Sequence, residues 1–400
     1  MKILLAGQAF YRRDNGQAVF TVNLAEGLIR KGYDVLVMAP SPTNEPDFEM
    51  VRGVTVQTVP AIHFRHNVNV SFLSGRFVQQ TFASFKPDIV HIQDHYFLSR
   101  AVMREAERLQ LPVVGTNHFL PENVADNARI PESWRPTVHK LLWRTMLSVY
   151  NRVEAVTTPT KTAVSILNQQ PLQPPAAAIS CGIDPHRFYP RPLVDRAAMR
   201  QKYGLDAEKA VVLYVGRVDR EKNLDDVIKA VAQMHRQDVQ LGIAGKGMHL
   251  QVLRQLCEEM GVNGRVHFLG FVPDDDLPLL LNSVDAFIMP GHAELQSIAT
   301  LEAMSCGLPV LATNARALPE LVHSGENGYL FTPGDVDKVA DSLDAFADDR
   351  YRWVEMGLAS LRIAAPHSLQ HTVQQYVDWY EQALKRPFPV PGQHVLEGVG

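Results

Sequence analysis

Short apolar runs alternate with amphipathic stretches twice along this chain, and this repeated pattern restricts the fold more than any other feature. A helical pattern at residues 19–31 lies between two such runs, and the same order begins again near residue 211. Short apolar runs suit buried parallel strands, which need crossover helices between them. We therefore predict an α/β chain with two parallel sheets. The predicted strands are residues 3–6, 34–39, 89–92, 113–116, 155–158, 211–215, 239–244, 266–269, 286–289, 310–313 and 328–331.

The chain length favours two domains with a cleft between them, because 400 residues exceed one comfortable hydrophobic core. A Gln/Pro-rich segment at residues 169–175 cannot continue a helix and marks the approach to a boundary. We place the first domain at residues 1–185 and the second at residues 186–368. Apolar residues at helical spacing predict a final helix, residues 369–386, which we expect to rejoin the first domain. The Pro/Gly-rich residues 387–400 read as a flexible tail.

Composition excludes several classes of protein. The formal net charge of −4 and the 46% hydrophobic content argue against disorder and against nucleic-acid binding. Cys181, Cys257 and Cys306 lie far apart, so we expect neither a disulfide framework nor structural zinc. No run approaches the roughly twenty apolar residues that span a bilayer. We expect a cytoplasmic enzyme, with any membrane contact peripheral and on the inner face of the cell membrane.

The loop after the first predicted strand is a candidate anion site. Arg12, Arg13, Asp14, Asn15 and Gly16 precede a helix, whose first amides and dipole favour a phosphate. The glycine spacing of the dinucleotide fingerprint is absent here, and the Gly245-Lys246-Gly247 segment also lacks the third glycine. A plain turn is the alternative interpretation for both segments.

A second candidate is the loop that follows the opening strand of the second half. It carries two cations, Arg217 and Lys222. Open α/β sheets bind ligands at the carboxyl ends of their strands, and a diphosphate would use both cations. The alternative is a solvated charged loop.

The segment from residue 286 to residue 310 carries the most information. It predicts a strand, a loop with Glu294, a helix with Glu302, and another strand. Both carboxylates can face one cleft and accept bonds from sugar hydroxyls. The loop amides opening onto the helix can hold a phosphate. The alternative is one surface Glu and one helix-stabilising Glu. The loop amides belong to Leu295, Gln296, Ser297 and Ile298.

The spacing of Glu294 and Glu302 resembles the E-x7-E signature of the retaining GT-B glycosyltransferases of family GT4. Gly216-Arg217 with Lys222 is similar to the pyrophosphate site of that family, and residues 182–188 resemble its interdomain segment. The matches occur in the expected order over nearly the whole chain. The resemblance implies the GT-B fold, in which two Rossmann-like domains face a central cleft.

The resemblance also implies roles for individual residues. Arg217 and Lys222 would neutralise the donor diphosphate, Glu302 would hold the ribose hydroxyls, and Glu294 would bind the donor sugar. His118, after the strand at residues 113–116, matches the histidine that bonds the sugar or stabilises the leaving group. Taken alone, His118 is more readily interpreted as a solvent-facing side chain, because a single histidine is a poor indicator of a site. Gly16 matches the glycine-rich loop near the donor phosphate.

The implied reaction is retaining transfer of a hexose from a UDP- or GDP-linked sugar. No further cofactor is implied, and paired cations with a helix dipole can serve in place of a metal. Many relatives carry glycines after the first glutamate, whereas this chain has Glu294-Leu295-Gln296-Ser297. That departure leaves the identity of the donor sugar open, and the sequence does not indicate an oligomeric state.

The expected acceptor is a lipid at an anionic membrane surface, because residues 117–123, which end in Glu122 and Asn123, and residues 293–297 resemble segments of bacterial lipid glycosyltransferases acting on diacylglycerol or phosphatidylinositol. Residues 134–144 mix Trp134, Trp143 and Arg144 with leucines, as interfacial helices do. Residues 64–66 and 72–77 add aromatic and basic groups. A core helix remains the alternative for the first of these segments. The functional alternatives are a soluble or polysaccharide acceptor, a nucleotide-sugar epimerase of GT-B fold, an inactive sugar-nucleotide sensor and, less favoured, a nicotinamide dehydrogenase.

Overall fold

A computed structural model of the protein describes residues 1–10, 16–64, 68–72, 74–121 and 130–385. Its strands form two separate, mainly parallel sheets with helices on their faces, which confirms the predicted α/β class and the two Rossmann-like domains. Some predicted features fall outside the described residues. These are the loop residues Arg12, Arg13, Asp14 and Asn15, the pair Arg65 and His66, Glu122 and Asn123, and the tail at residues 387–400.

The first sheet has the strand order β10-β9-β8-β7-β1-β2-β4-β3, and all its pairs are parallel except that of β3 with β4. β5 and β6 form a separate antiparallel pair. The strands are β1 (Lys2–Ala6), β2 (Asp34–Pro40), β3 (Phe48–Val51), β4 (Val54–Val59), β5 (Ile62–Phe64), β6 (Val68–Val70), β7 (Ile89–Ile92), β8 (Val113–Thr116), β9 (Ala155–Thr158) and β10 (Ala176–Ala178).

Helices cover both faces of this sheet. Side chains alternate along a strand, so Ile3 and Leu5 join one apolar cluster while Leu4 and Ala6 join another on the opposite face. The first cluster includes α1, and the second includes α2, α3 and α4. The helices of this part are α1 (Gly16–Arg30), α2 (Gly75–Phe85), α3 (Phe97–Arg108), α4 (Arg135–Tyr150) and α5 (Lys161–Asn168).

The second sheet is parallel, with the order β13-β12-β11-β14-β15-β16, and it surrounds one continuous apolar core. Its strands are β11 (Ala210–Val215), β12 (Val239–Ala244), β13 (Val266–Gly270), β14 (Ala286–Met289), β15 (Val310–Thr313) and β16 (Gly328–Phe331). Its helices are α6 (Arg196–Lys202), α7 (Leu224–Gln233), α8 (Leu250–Glu259), α9 (Leu277–Leu281), α10 (Ile298–Ser305), α11 (Val336–Asp348) and α12 (Trp353–Ala364).

The last helix, α13 (Leu369–Leu384), packs against the first domain although it follows the second in sequence. Val373 and Tyr380 lie in the same apolar cluster as Phe20 of α1. A Cβ atom on Gly27 would lie 2.3 Å from Cγ2 of Val373, so the close approach of α1 and α13 requires glycine at that position. The contact brings the end of the chain back to the first sheet.

A buried hydrogen-bonded network joins α13 to the carboxyl ends of the central strands. The Tyr380 hydroxyl is 2.7 Å from Nδ1 of His91, and the other ring nitrogen of His91 is 2.6 Å from Oγ1 of Thr116. The Tyr376 hydroxyl lies 3.1 Å from Thr116 and 3.0 Å from Thr157, and those two threonine hydroxyls are 2.6 Å apart. The network is fully enclosed, so each group relies on the others for its hydrogen bonds.

The membrane-facing role predicted for Trp143 is wrong. Its indole is buried among Val102, Met146 and other residues under the sheet, whereas Trp134, Lys140 and Arg144 are exposed. α4 is therefore amphipathic in the ordinary sense of a packed helix, with Trp143 on its inner face. None of the helices within the described ranges is long and apolar enough to cross a membrane.

The network predicts unequal costs for two tyrosine substitutions. Tyr380→Phe should lower the free energy of unfolding by about 1–3 kcal/mol, because it leaves the buried Nδ1 of His91 without a partner. Tyr376→Phe should cost about 1 kcal/mol or less, because Thr116 and Thr157 still bond each other. Urea denaturation of both variants beside the wild type measures the difference. A larger loss for Tyr376→Phe would contradict the assignment.

Candidate active site

The two sheets turn the carboxyl ends of their strands toward each other. Gly16 begins α1, and a Cβ atom on it would lie 3.8 Å from Cδ1 of Ile298, the first residue of α10. Ile298 packs against the cores of both domains. The structure thus brings together two predicted site residues at the point where two helix N-termini meet. Helix N-termini favour anions, so this junction suits a phosphate group.

Lys222 and Glu294 form a mostly enclosed ion pair in the second domain. The Nζ atom of Lys222 lies 2.5 Å from Oε1 of Glu294, and their side chains are 17% and 14% exposed. Burial lowers the pKa of Lys222, but the carboxylates of Glu294 and Glu221 more than offset it, so its pKa is raised above the usual value. Lys222 therefore remains a cation, next to the loop that follows β14.

Arg217 is also paired with carboxylates. Its guanidinium bonds both Asp219 and Glu221. The sequence reasoning identified Arg217 and Lys222 but missed Asp219 and Glu221 as their partners. The only sequence feature that indicated these two partners was their position in the same charged loop. The two predicted cations thus belong to one cluster with three carboxylates, those of Asp219, Glu221 and Glu294.

The Gly245-Lys246-Gly247 segment supports this cluster from the next strand. A Cβ atom on Gly245 would lie 1.8 Å from the carbonyl oxygen of Gly216, and one on Gly247 would lie 2.1 Å from that of Val218. The Val218 amide donates to the Lys246 carbonyl at 2.9 Å. These glycines therefore allow two loops to touch, and the interpretation as a structural turn explains them without a nucleotide.

The three residues between Glu294 and α10 have separate tasks. Ser297 caps α10, with its Oγ accepting from the Thr300 amide at 3.2 Å. The Leu295 carbonyl accepts from Oγ1 of Thr160 in the first domain at 2.9 Å. Gln296 also reaches the first domain. The loop therefore serves the domain interface as well as the predicted phosphate site.

Gln296 makes the closest polar connection between the loop and the interdomain segment. Its side chain is buried, and its Oε1 accepts from the Cys181 amide at 2.8 Å and from Oγ of Ser180 at 3.3 Å. Its Nε2 donates to the Pro159 carbonyl at 3.4 Å. A side chain at this position thus links the arrangement of the domains to the loop that carries Glu294.

Glu302 lies four residues after Ile298 on α10, so the two share a helix face. Burial raises the pKa of Glu302 to about 7, with Arg187 opposing the rise and Asp274 adding to it. Arg187 is held in place by a 2.7 Å bond to the Asp274 carbonyl. The sequence did not point to Arg187 or Asp274. With its pKa raised to about 7 mainly by burial, Glu302 exists in both protonation states near neutral pH.

His118 lies in the first domain, after β8. Its Nε2 is 3.3 Å from Oε1 of Gln93, and its ring is tilted against Phe20 at 4.8 Å between centroids. Burial lowers its pKa to about 3, so the imidazole is neutral at neutral pH. Among the described residues, the structure records no contact between His118 and Arg217, Lys222 or Glu294, so it does not join their cluster directly.

The described ranges contain no group of three or more His, Cys, Asp or Glu side chains placed to hold a metal ion. The carboxylates of the charged cluster are instead paired with cations: Arg217 contacts Asp219 and Glu221, and Lys222 contacts Glu221 and Glu294.

Two family models match the chain, one in each domain. The model described as Glycosyltransferase Family 4 matches residues 14–187, and the model described as Glycosyl transferases group 1 matches residues 195–358. Together they cover most of the chain, including every predicted site residue.

Similar proteins match over nearly their full length. The D-inositol 3-phosphate glycosyltransferase of Thermobispora bispora is 28% identical, covering 93% of this chain and 90% of that protein. The sucrose-phosphate synthase structure from Thermosynechococcus elongatus has a TM-score of 0.81 at 20% identity, covering 96% of this chain and 98% of that one. Anabaena HepE in complex with UDP-glucose has a TM-score of 0.75 at 20% identity, covering 96% and 100%. At these identities, the two structures show the shared fold alone.

The raised pKa of Glu302 predicts a pH-dependent effect of Glu302→Gln on stability. The folded-state value of about 7 lies above an unfolded value of about 4.3. The folded state therefore binds more protons, and Glu302 reduces stability as pH rises from about 4.3 to 7. Glu302→Gln avoids that loss. Its free energy of unfolding should exceed that of the wild type by about 1–3 kcal/mol at pH 8 and by little at pH 4.5.

Thermal melts at pH 4.5 and pH 8 check this expectation. Glu258→Gln, an exposed glutamate on α8, is the matched control and should show no such difference. A variant that is equally destabilised at both pH values would show that Glu302 contributes structural hydrogen bonds.

The bonds of Gln296 predict that Gln296→Leu loosens the closed arrangement of the domains. The variant leaves the buried Cys181 amide without its partner, and nucleotide affinity should fall about tenfold. Calorimetric titration with UDP and GDP, combined with small-angle scattering of the free protein, measures both effects. Gln255→Leu on the surface of α8 is the control. Unchanged scattering together with unchanged affinity would remove the proposed link.

Proposed function

The chain belongs to the GT4 glycosyltransferases of GT-B fold, and on that premise we propose that it is a retaining hexosyltransferase with an NDP-sugar donor and a membrane glycerolipid acceptor. The observation that carries the donor half is the enclosed Lys222–Glu294 pair beside the N-terminus of α10. A diphosphate placed there can replace a carboxylate as the partner of Lys222 while its sugar approaches Glu294.

The donor is a UDP- or GDP-linked hexose in this proposal. Lys222 and Arg217 bind the diphosphate, and the α10 amides add partial positive charge. Glu302 accepts bonds from the ribose hydroxyls. Anabaena HepE, which shares the fold, is described in complex with UDP-glucose, and this supports a uridine donor. Glu294, released from Lys222, accepts bonds from the hydroxyls of the sugar.

The proposed chemistry retains the anomeric configuration. The C1–O bond to the diphosphate breaks, the acceptor oxygen bonds C1 on the same face, and the departing diphosphate takes the acceptor proton. Negative charge grows on the diphosphate, so Lys222 and Arg217 contribute most in the transition state. His118 is neutral and serves as a hydrogen-bonding group for a hydroxyl, because burial holds its pKa at about 3.

The lipid half of the proposal rests on an exposed surface of the first domain. Trp134 is 66% exposed just before α4, and Leu141 is 62% exposed on it. Lys140 and Arg144 are exposed on the same helix. Lys140 and Leu141 lie four and three residues before Arg144, so these three side chains share one face of the helix. Aromatic and aliphatic groups flanked by cations suit the interface of an anionic membrane.

An aromatic pair of the same domain is also exposed. Phe72 and Phe97 are both about half exposed, and their ring centroids are 4.4 Å apart. In this proposal, the pair adds aromatic groups that can enter the interface of a membrane.

A soluble acceptor is the second candidate function. It is favoured by the similarity to the D-inositol 3-phosphate glycosyltransferase of Thermobispora bispora, whose name specifies a phosphorylated polyol. The donor half of the proposal is the same in both cases.

The first test incubates the protein with UDP- and GDP-hexoses, with and without lipid extract, and measures NDP release. We expect release that depends on lipid, and a product with the anomeric configuration of the donor. Lys222→Ala should lower kcat by about 10²–10³-fold, because one donor to the leaving group is lost. Arg220→Ala, in the same loop, is the control.

Other outcomes of this test would contradict particular parts of the proposal. Epimerised donor without an acceptor would identify an epimerase, and inverted product would refute retention. Substantial activity should persist in EDTA, since the cations stabilise the diphosphate. Complete loss that Mg²⁺ reverses would refute that part of the proposal.

The exposed surface predicts binding to anionic vesicles. Trp134→Ala/Arg144→Glu should weaken co-sedimentation with phosphatidylglycerol vesicles about tenfold, because an interfacial aromatic group is lost and a charge is reversed. Tyr351→Ala/Arg362→Glu makes the same changes at exposed residues of the second domain and should have no effect. Equal binding by all three proteins would refute the membrane surface.

A further inference from the structure

Three buried polar atoms lie without protein partners at the carboxyl ends of β1 and β7. They are Oε1 of Gln8, Nε2 of Gln93 and Nδ1 of His95. Gln93 is fully buried, and His95 is nearly so. Buried polar atoms are almost always hydrogen-bonded, so such a concentration in adjacent loops needs an explanation. A ligand that supplies the partners is one such explanation.

The two glutamines lie close together. The Gln93 amide donates to the Ala6 carbonyl at 2.8 Å, and a Cβ atom on Gly7 would lie 2.8 Å from Cβ of Gln93. Gln8 follows Gly7 directly. Glycine at position 7 therefore allows the two strand ends to approach, and it places Gln8 beside Gln93.

Asp94 holds this pair of strand ends in position. Its Oδ2 accepts from the Gln8 amide at 2.5 Å and from Nε2 of Gln17 at 2.9 Å. Its Oδ1 accepts from the Tyr96 amide at 3.0 Å and from Oγ of Ser99 at 2.7 Å. The buried carboxylate thus orders β1, β7 and the start of α3 around the glutamines. Such support keeps a binding site in one geometry.

Gln93 also determines which ring nitrogen of His118 can donate a hydrogen bond and which can accept one. The Gln93 Oε1 can only accept, so the contact at 3.3 Å requires a proton on Nε2 of His118. A neutral imidazole then carries its acceptor on Nδ1. The cluster therefore presents a donor from Gln93 and acceptors from Gln8 and His118. A hydroxyl group can both donate and accept, so neighbouring hydroxyls satisfy this pattern.

We propose that Gln8, Gln93 and His118 form an acceptor subsite for a polyhydroxylated ring, such as a cyclitol or a hexopyranose. The inference rests on the proposed glycosyltransferase function and adds the chemistry of the acceptor head. The Asp94 carboxylate behind the cluster disfavours a phosphate at the same place through like-charge repulsion. A glycerolipid acceptor would therefore present a sugar or cyclitol head group to this subsite.

Saturation-transfer NMR with the full chain in the presence of UDP tests the subsite. The probes are myo-inositol, glucose and mannose, with glycerol and inorganic phosphate for comparison. At least one ring should bind more tightly than glycerol and phosphate. Gln93→Leu and Gln8→Leu should each weaken ring binding about tenfold, as expected for a lost hydrogen bond. UDP affinity, measured separately, should be unchanged in both.

Gln79→Leu, an exposed glutamine on α2, is the matched control and should bind like the wild type. Gln93→Glu keeps the acceptor for His118 but lacks the donor, so it should also weaken ring binding. Phosphatidylinositol vesicles, compared with phosphatidylglycerol vesicles of equal charge, distinguish a lipid-borne ring from a free one. Preferential binding of either a free ring or phosphatidylinositol vesicles supports the subsite and shows whether the ring is free or lipid-borne.

Several results would overturn the subsite. One such result is that the protein binds UDP, binds no ring, and shows no preference for phosphatidylinositol vesicles over phosphatidylglycerol vesicles. That result would refute the subsite but leave the donor half of the proposed function intact. Ring binding that both leucine variants retain would place the acceptor elsewhere. Equal loss of UDP and ring binding in both variants would show a structural role for the glutamines. Failure of the wild type to bind any nucleotide would instead refute the proposed function.

Discussion

The placement of the two sheets depends on a pair of hydrogen bonds where the chain crosses between the domains. The Ile183 amide donates to the His367 carbonyl at 2.9 Å, and the Leu369 amide donates to the Ile183 carbonyl at 2.8 Å. Gly182 has φ of 76°, and a Cβ atom there would lie 2.8 Å from Oγ1 of Thr372. The outgoing and returning segments are therefore bound side by side where the chain crosses between the domains.

Charge balance is the second constraint on the site. A mostly enclosed lysine needs a counter-charge, and Glu294 and Glu221 provide it for Lys222. Asp219 and Glu221 do the same for Arg217. In the proposed function, a diphosphate would compete with these carboxylates, so binding would exchange one set of anions for another. The net free energy gained on binding would then be smaller than for cations without carboxylate partners. The geometry of the donor would decide whether the exchange is favourable.

Sequence patterns predicted strands better than they predicted surfaces. The predicted strands at residues 89–92, 113–116 and 155–158 coincide with β7, β8 and β9, because a fully buried strand is apolar on both faces. β3 was missed because it is an edge strand with Phe48 exposed, and β4 was missed because the polar residues Gln57 and Thr58 interrupt its apolar run. Trp143 was placed on the wrong side of α4, because an amphipathic pattern does not state which face meets water.

For the candidate site, too, the sequence indicated which residues take part but not the contacts that they make. Lys222, Glu294 and Glu302 could be proposed from local spacing, whereas the bond of Gln296 to Cys181 spans 115 positions and depends on how the domains meet. The departure from glycine after Glu294 now has a physical explanation. Leu295 and Gln296 bond residues of the first domain through a carbonyl and a side chain, and Ser297 caps α10. A glycine at position 296 could not make the side-chain bonds. The departure therefore couples the loop that carries Glu294 to the interdomain segment.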